Sequence, residues 1–262
     1  MHPGIPYRVR DKLLNSLIIG VILKRDHRPY FVKRLYMGFE RWYADHFLRP
    51  QFEELGEGAL FFKPWHVEVF GGPVVLGRYA NVIATPDRKV RFTVWSTFAG
   101  GGRIVIGDYS LVCPGVRISA ATDISIGHSC MLAQGAFLTD ADWHGLYDRS
   151  ESVGQTAAVR IGNNVWIGDG AIVCKGVTIG DNSIVGAGSV VVRDIPPNAI
   201  AAGNPAAVTK ELDGNRPVRT RAQWLADPDA LWDQFAQIDR AFMKDNTVLG
   251  WMRSLMFPQK GD

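Results

Sequence analysis

An aliphatic side chain returns at every sixth residue through the middle of this chain, and no other feature constrains its fold as strongly. The run is Ile161, Ile167, Val173, Ile179, Val185 and Val191. The same period appears earlier at Ile106, Val112 and Ile118, slips by two residues, and resumes at Ile126, Leu132 and Leu138. Glycine, alanine or another small residue usually follows the aliphatic one. A small residue often lies four places after it, as at Ser110, Cys130, Ala136, Ala171, Ser183 and Ser189. A helical stripe of period 3.6 would leave this phase within two repeats.

The period is satisfied by short strands joined by tight bends, with the recurrent aliphatic residue pointing inward. Three hexapeptides close one triangular coil, so residues eighteen apart should stack: Ile161 on Ile179, Ile167 on Val185, Val173 on Val191. No coil could bury its own face, so each must pair with the next around a continuous apolar column. The glycine after the aliphatic residue is expected to permit the bend. A weaker continuation runs through Val74, Leu76, Val82, Val90, Phe92 and Val94. Ordinary glycine-rich hairpins would not hold one phase over six consecutive repeats.

The repeat stops near Trp143 and resumes at Ile161, and the segment between is polar and aperiodic. An insertion that leaves the phase undisturbed reads as a surface loop, placed at 143–160, and such loops carry function more often than scaffolds do. The open ends of the coil need covers. Residues 1–65 read as a helical, basic extension: Leu13, Leu14, Leu17, Ile18, Val21 and Ile22 have helical spacing, and an aromatic stretch runs through Tyr43 and Phe47. Residues 66–210 form the coil domain and 211–262 a second helical extension. In the latter, Asp227-Pro228 starts a helix and Leu231, Phe235, Ile238 and Phe242 follow on one stripe. The two extensions are expected to cover opposite ends.

Composition excludes several classes. A net charge of +3 over 262 residues gives no global case for nucleic acid. Three cysteines at irregular spacing fit neither a disulfide framework nor a structural zinc site, and a reducing, cytoplasmic setting is expected. No apolar run approaches the ~18 residues of a membrane span, and no signal-peptide pattern opens the chain. Within the first fifty residues ten basic side chains face four acidic ones, a balance of +6. That segment reads either as a solvated helical face or as a peripheral membrane contact.

The stretches IGNNVWIGDGAIV and GVTIGDNSIVGAGSVVVRDIPPNAIAAGNPA resemble the hexapeptide-repeat O- and N-acetyltransferases, including the galactoside, maltose, xenobiotic and polysaccharide enzymes. The resemblance is dense over 104–210. It implies a mainly β fold, a left-handed parallel β-helix with helical extensions. The left hand comes from the resemblance, because the usual crossover rule favours the opposite one. It also implies a trimer with sites between neighbours, acetyl-CoA as a cosubstrate and no tightly bound cofactor. The acceptor it implies is a hydroxyl or amine on a sugar, glycan or glycolipid.

Acyl transfer from a thioester needs a base for the acceptor proton, donors facing the developing oxyanion, and a coenzyme held against the acceptor. His144, at the junction where the coil breaks, matches the family's catalytic histidine with an offset of one residue. Asp142 and Asp140 are near enough in sequence to orient its ring or to bind acceptor. For the coenzyme, the resemblance assigns Trp166, Gly168, Asp169, Gly186 and Ala187 to the pantetheine arm. Arg193 and Lys210 fall near the phosphates, and Asn204 and Pro205 shape the loop near the adenine. Ala207 stands where some relatives carry a second arginine. Cys113 takes the place of an acceptor-holding asparagine. The same repeat also builds γ-class carbonic anhydrases, but no histidine pair here has the five-residue spacing of their zinc site. A non-catalytic repeat scaffold is the remaining alternative, and no metal site is expected.

Overall fold

The computed structural model of the chain describes residues 25–95, 101–260 and 262. The chain forms two units: Met37–Leu231, and Met1–Tyr36 together with Trp232–Asp262.

The larger unit is the coil. Strands β1 (Glu54–Leu55), β2 (Leu60–Phe62) and β3 (Val67–Phe70) make its first turn, and β4 (Val74–Leu76), β5 (Asn81–Ile83) and β6 (Val90–Val94) its second. The third turn is β7 (Ile104–Ile106), β8 (Leu111–Val112) and β9 (Arg117–Ala120); the fourth is β10 (Ile124–Ile126), β11 (Met131–Leu132) and β12 (Phe137–Thr139). The fifth is β13 (Val159–Ile161), β14 (Trp166–Ile167) and β15 (Ile172–Val173), and the sixth β16 (Thr178–Ile179), β17 (Ile184–Val185) and β18 (Val190–Val191). Every third strand joins the same parallel sheet, which gives three sheets around one column. Ile161 pairs with Ile179, Ile167 with Val185 and Val173 with Val191, the stacking that the period dictates. The weaker signals at Val74, Leu76, Val82, Val90, Phe92 and Val94 form the second coil, and all six side chains are buried. Burying each such side chain contributes on the order of 1.5–3 kcal/mol before conformational entropy is counted.

The first coil starts at Glu54, twelve residues ahead of the position read from the sequence. Leu55, Phe61 and Val67 keep the six-residue spacing, but their partners in the next coil, Leu76, Val82 and Val90, lie 21 to 23 residues on rather than 18, so the stacking period of the later coils does not reach it. Its open end is covered from within the same unit. Ala44, Leu48 and Phe52 are buried, and the Phe52 ring lies 5.9 Å from Phe61 and 6.1 Å from Phe92. At the far end an antiparallel hairpin, β19 (Ala199–Gly203) and β20 (Ala206–Glu211), turns through the cis Asn204-Pro205 bond and extends the second sheet beyond β17.

The corners explain residues that could be mistaken for functional ones. Along one corner each side chain caps the backbone of the preceding coil: Asp108 accepts from Arg78 N, His128 Nδ1 from Asp108 N, Asn163 from His128 N, and Asp181 from Asn163 N. His128 is therefore a structural rung. The next corner residue has positive φ at Tyr79, Tyr109, Ser129, Asn164 and Asn182, and Asn164, Asn182 and Asn198 bond in a ladder with 3.0 Å steps. The glycine after the aliphatic residue has a different role from the one expected. A Cβ at Gly107 would come within 2.7 Å of the Gly127 backbone, so glycine there is required by the approach of the next coil. The left-handed backbone lies elsewhere, at residues such as Asn164.

In the smaller unit the two extensions pair with each other. Helix α1 (Tyr30–Tyr43) begins here, and the unit also takes in most of α3 (Pro228–Met243), which follows the short α2 (Arg221–Trp224), and all of α4 (Val248–Met256). Lys33 and Asp239 meet at 2.7 Å, Arg240 lies over the Tyr30 ring at 5.4 Å, and Asn246 donates to the carbonyls of Asp26 and Arg28. The later part of the first extension, Ala44, Leu48 and Phe52, covers the first coil as expected, while its earlier part pairs with the second extension. Asp227 caps α3 by accepting from Ala230 N, as the Asp-Pro start implies. Phe235 and Phe242 on the expected apolar stripe remain exposed. The pattern at Leu13–Ile22 and the basic residues Arg8, Arg10, Lys12 and Lys24 lie outside the described residues. Among the described residues no helix is long and apolar enough to cross a membrane.

Candidate active site

The fourth coil ends at Thr139, and the chain leaves the sheet until Val159. The loop is thus longer at its start than 143–160, because residues 140–142 belong to its base. There the two limbs pair: Ala157 N donates to Asp140 O at 2.9 Å, Asp142 N to Gln155 O at 2.9 Å, and Gly154 N to Asp142 O at 2.7 Å. Gly154 is needed at this base, since a Cβ there would meet the His144 carbonyl at 2.4 Å.

Asp140 does not serve the imidazole or an acceptor. It is fully buried, and its carboxylate accepts from Ala121 N at 2.7 Å, Thr122 N at 2.8 Å, Asp123 N at 2.7 Å and Thr122 Oγ1 at 3.0 Å. Those three residues are where the sequence period slips by two. The slip leaves consecutive N–H groups aimed inward, and one carboxylate satisfies them all. Asp142 is also engaged elsewhere, in a pair with Lys175 at 2.9 Å.

His144 stands just beyond the loop base, exposed, with Nδ1 at 3.2 Å from the Glu151 carbonyl oxygen. A carbonyl only accepts, so in the neutral ring this contact calls for the hydrogen on Nδ1 and the lone pair on Nε2. The support expected from Asp142 comes from this carbonyl instead. The ring borders a cavity of about 620 Å³. Arg91, Arg117 and Phe137, outward residues of β6, β9 and β12, form its floor, and Trp95 and Trp143 stand at its side with ring centroids 6.0 Å apart. Trp143 is held by its Nε1 hydrogen bond to Thr139 Oγ1 at 3.1 Å.

A second, more apolar groove of about 470 Å³ runs along the corner after the second sheet. Trp166, Gly168, Asp169, Gly186 and Ala187 all line it, so the five residues assigned to the pantetheine arm come together. Trp166 keeps 46% of its surface exposed, unusual for the largest apolar side chain of a coil. Gly168 has no room for a Cβ, which would lie 2.5 Å from Val185 O. Gln134 also lines the groove and was missed. Ala133-Gln134 stands one coil before Gly168-Asp169 and two before Gly186-Ala187, so repeat phase could have found it. Arg193, Asn204, Pro205 and Lys210 do not line this groove. Arg193 follows β18, and the other three belong to the exposed β19–β20 hairpin.

Cys113 borders neither cavity. It occupies the corner that Ala133, Gly168 and Gly186 take in later coils, on the groove side. Burial pushes its thiol up, partly offset by the nearby Arg221 charge. Among the described residues no group of three His, Cys, Asp or Glu side chains is placed to hold a metal ion.

A three-sided parallel coil of short strands, broken by one extruded loop, is the architecture of the hexapeptide-repeat class. The family model described as bacterial transferase hexapeptide (six repeats) matches residues 158–193. Galactoside O-acetyltransferase of Escherichia coli (strain K12) is 33% identical over 168 residues, 63% of this chain and 67% of that protein. The chain therefore belongs to the hexapeptide-repeat acetyltransferase family, whose coil is left-handed. Other curated bacterial relatives match over 74 residues, 37% of their own length. Among solved structures, a maltose O-acetyltransferase from Clostridium difficile 630 is 28% identical with a TM-score of 0.39, covering 70% of this chain and 88% of that one. A hexapeptide-repeat-containing acetyltransferase from Vibrio cholerae is 21% identical with a TM-score of 0.44, covering 70% of this chain and 93% of that one.

Proposed function

We propose that this protein transfers an acetyl group from acetyl-CoA to a hydroxyl or amine of a sugar, glycan or glycolipid acceptor. His144 acts as the general base. The observation that carries this reading is the Nδ1 contact to the Glu151 carbonyl, which leaves Nε2 free to accept a proton. Nε2 takes the acceptor proton as the acceptor oxygen or nitrogen attacks the thioester carbonyl. The tetrahedral intermediate then expels the CoA sulfur, which leaves as the thiol with the proton from the imidazolium. Transfer is direct, because a thioester is already activated.

The coenzyme's pantetheine arm lies in the groove at Trp166, Gly168, Asp169, Gly186 and Ala187. Arg193 and Lys210 serve its phosphates, and Asn204 and Pro205 its adenine end. The groove and the His144 cavity share no lining residue in one chain, which supports a homotrimer in which one subunit's groove faces a neighbour's histidine. Calorimetry with CoA and a thiol-release assay with acetyl-CoA and candidate acceptors test the reading. A scaffold without activity would bind no CoA.

We also infer that the protein works in the cytoplasm, with residues 1–50 touching the inner membrane surface. The +6 balance of that segment supports this, as do Phe31 and Leu35, 55% and 70% exposed and four residues apart on α1. Liposome flotation with and without residues 1–50 tests it; equal flotation would dispose of it.

A further inference from the structure

The floor of the His144 cavity carries an arrangement that acetyl transfer alone does not require. On the outward face of the third sheet, Glu68, Arg91, Arg117 and Phe137 occupy one column, each paired with the next across adjacent parallel strands. Arg91 and Arg117 are thus direct cross-strand neighbours about 4.8 Å apart along the column. Like charges in that relation oppose sheet formation. Glu68 relieves only part of this, since it already takes Lys89 at 2.6 Å as well as Arg91 at 2.7 Å. Arg117 pairs with no carboxylate among the described residues, and its Cζ lies over the Phe137 ring, 4.4 Å from the centroid. A contact with the ring face uses none of the guanidinium N–H donors, and Arg117 borders the cavity. Among the described residues no lining residue of this cavity is acidic, while Arg91, Arg117 and His144 all border it.

We infer that the acceptor carries an anionic group, a carboxylate or a phosphate, which Arg117 and the free edge of Arg91 grip while the sugar ring rests against Trp95 and Trp143. This rests on the acetyl-transfer reading and adds the acceptor's chemical class to it. Guanidinium forks match both anions by paired hydrogen bonds. The tryptophan faces suit the apolar C–H face of a pyranose. An anchored anion would also set which hydroxyl reaches Nε2 of His144.

The test uses the full chain and three probes of similar shape: methyl galactoside, methyl galacturonide and galactose 6-phosphate. Their affinities are measured by saturation-transfer NMR titration on the native protein, Arg117→Gln and Arg117→Lys. One acidic probe should bind about 10-fold or more tightly than the neutral sugar, the scale of a charge-assisted hydrogen bond. Which of the two does so separates carboxylate from phosphate recognition. Arg117→Gln should erase the preference and Arg117→Lys retain part of it. Equal affinities, no measurable binding of any probe, or a preference that survives Arg117→Gln would overturn the inference. CoA calorimetry and His144-dependent thiol release run alongside. If both are intact without an acid preference, only the acceptor class fails. An acid preference without CoA binding would fail the transfer reading instead.

Discussion

The Nδ1 atom of His144 lies 3.2 Å from the carbonyl oxygen of Glu151, seven residues further along the same loop. The loop therefore fixes the tautomer of its own histidine, without a carboxylate. His144→Ala should lower acetyl transfer by about 10²–10⁴-fold while CoA still binds, as measured by thiol release and calorimetry. Asp142→Asn should cost much less, because its carboxylate serves Lys175. Full activity in His144→Ala would sink the proposed mechanism.

Asp140 is the residue on which the fourth coil closes. Asp140→Ala strands three N–H groups, buried at Ala121 and part-buried at Thr122 and Asp123. The loss should reach about 3 kcal/mol or more, since bonds to a charged group contribute ~1.5–3 kcal/mol each. Urea denaturation followed by circular dichroism measures it. A loss below about 1 kcal/mol would contradict the structural role.

Trp166 makes the groove wall while exposing nearly half its surface. Trp166→Ala should weaken CoA binding by roughly 10-fold, the scale of an aromatic contact within an interface, and change the melting temperature of the coil little. Calorimetry and thermal denaturation separate the two. Unchanged CoA affinity would remove Trp166 from the coenzyme site.

Cys130 is buried, its thiol donates to Gly162 O at 3.0 Å, and burial pushes its pKa up to about 12 from 9.0. The folded thiol therefore stays protonated where the unfolded one ionises. Between pH 9 and 12 the unfolded state binds fewer protons, so stability falls as pH rises, by up to roughly 1.4 kcal/mol per unit. Cys130→Ser places at this position the residue already found at Ser110 and Ser183, and should flatten that fall. Identical alkaline profiles for the two proteins would contradict the assignment.

Much of the coil was legible because its side chains repeat. The pairing of Ile161 with Ile179 follows from period alone; Gly168 and Gly186 share a phase, but their grouping with Trp166 was implied by the family resemblance. Legibility failed where contacts depend on a break in the period. Asp140 read as a partner for the histidine because the two are close in sequence. Its true partners lie 17–19 residues back, at the slip. The first coil was hidden because Leu55, Phe61 and Val67, though six apart, pair with residues 21 to 23 positions on rather than 18. The pairing of the two extensions rests on contacts such as Lys33 with Asp239, which no local pattern encodes.

The groove has a further property that follows from how it is assembled. Ala133, Gly168 and Gly186 occupy successive rungs of one ladder, so its floor is graduated in steps of about 4.8 Å. The reach available to an extended ligand arm is thus a whole number of turns. It can be lengthened or shortened only by inserting or deleting an entire turn, and a turn added between Ala133 and the loop that leaves at Thr139 would shift that loop by one graduation.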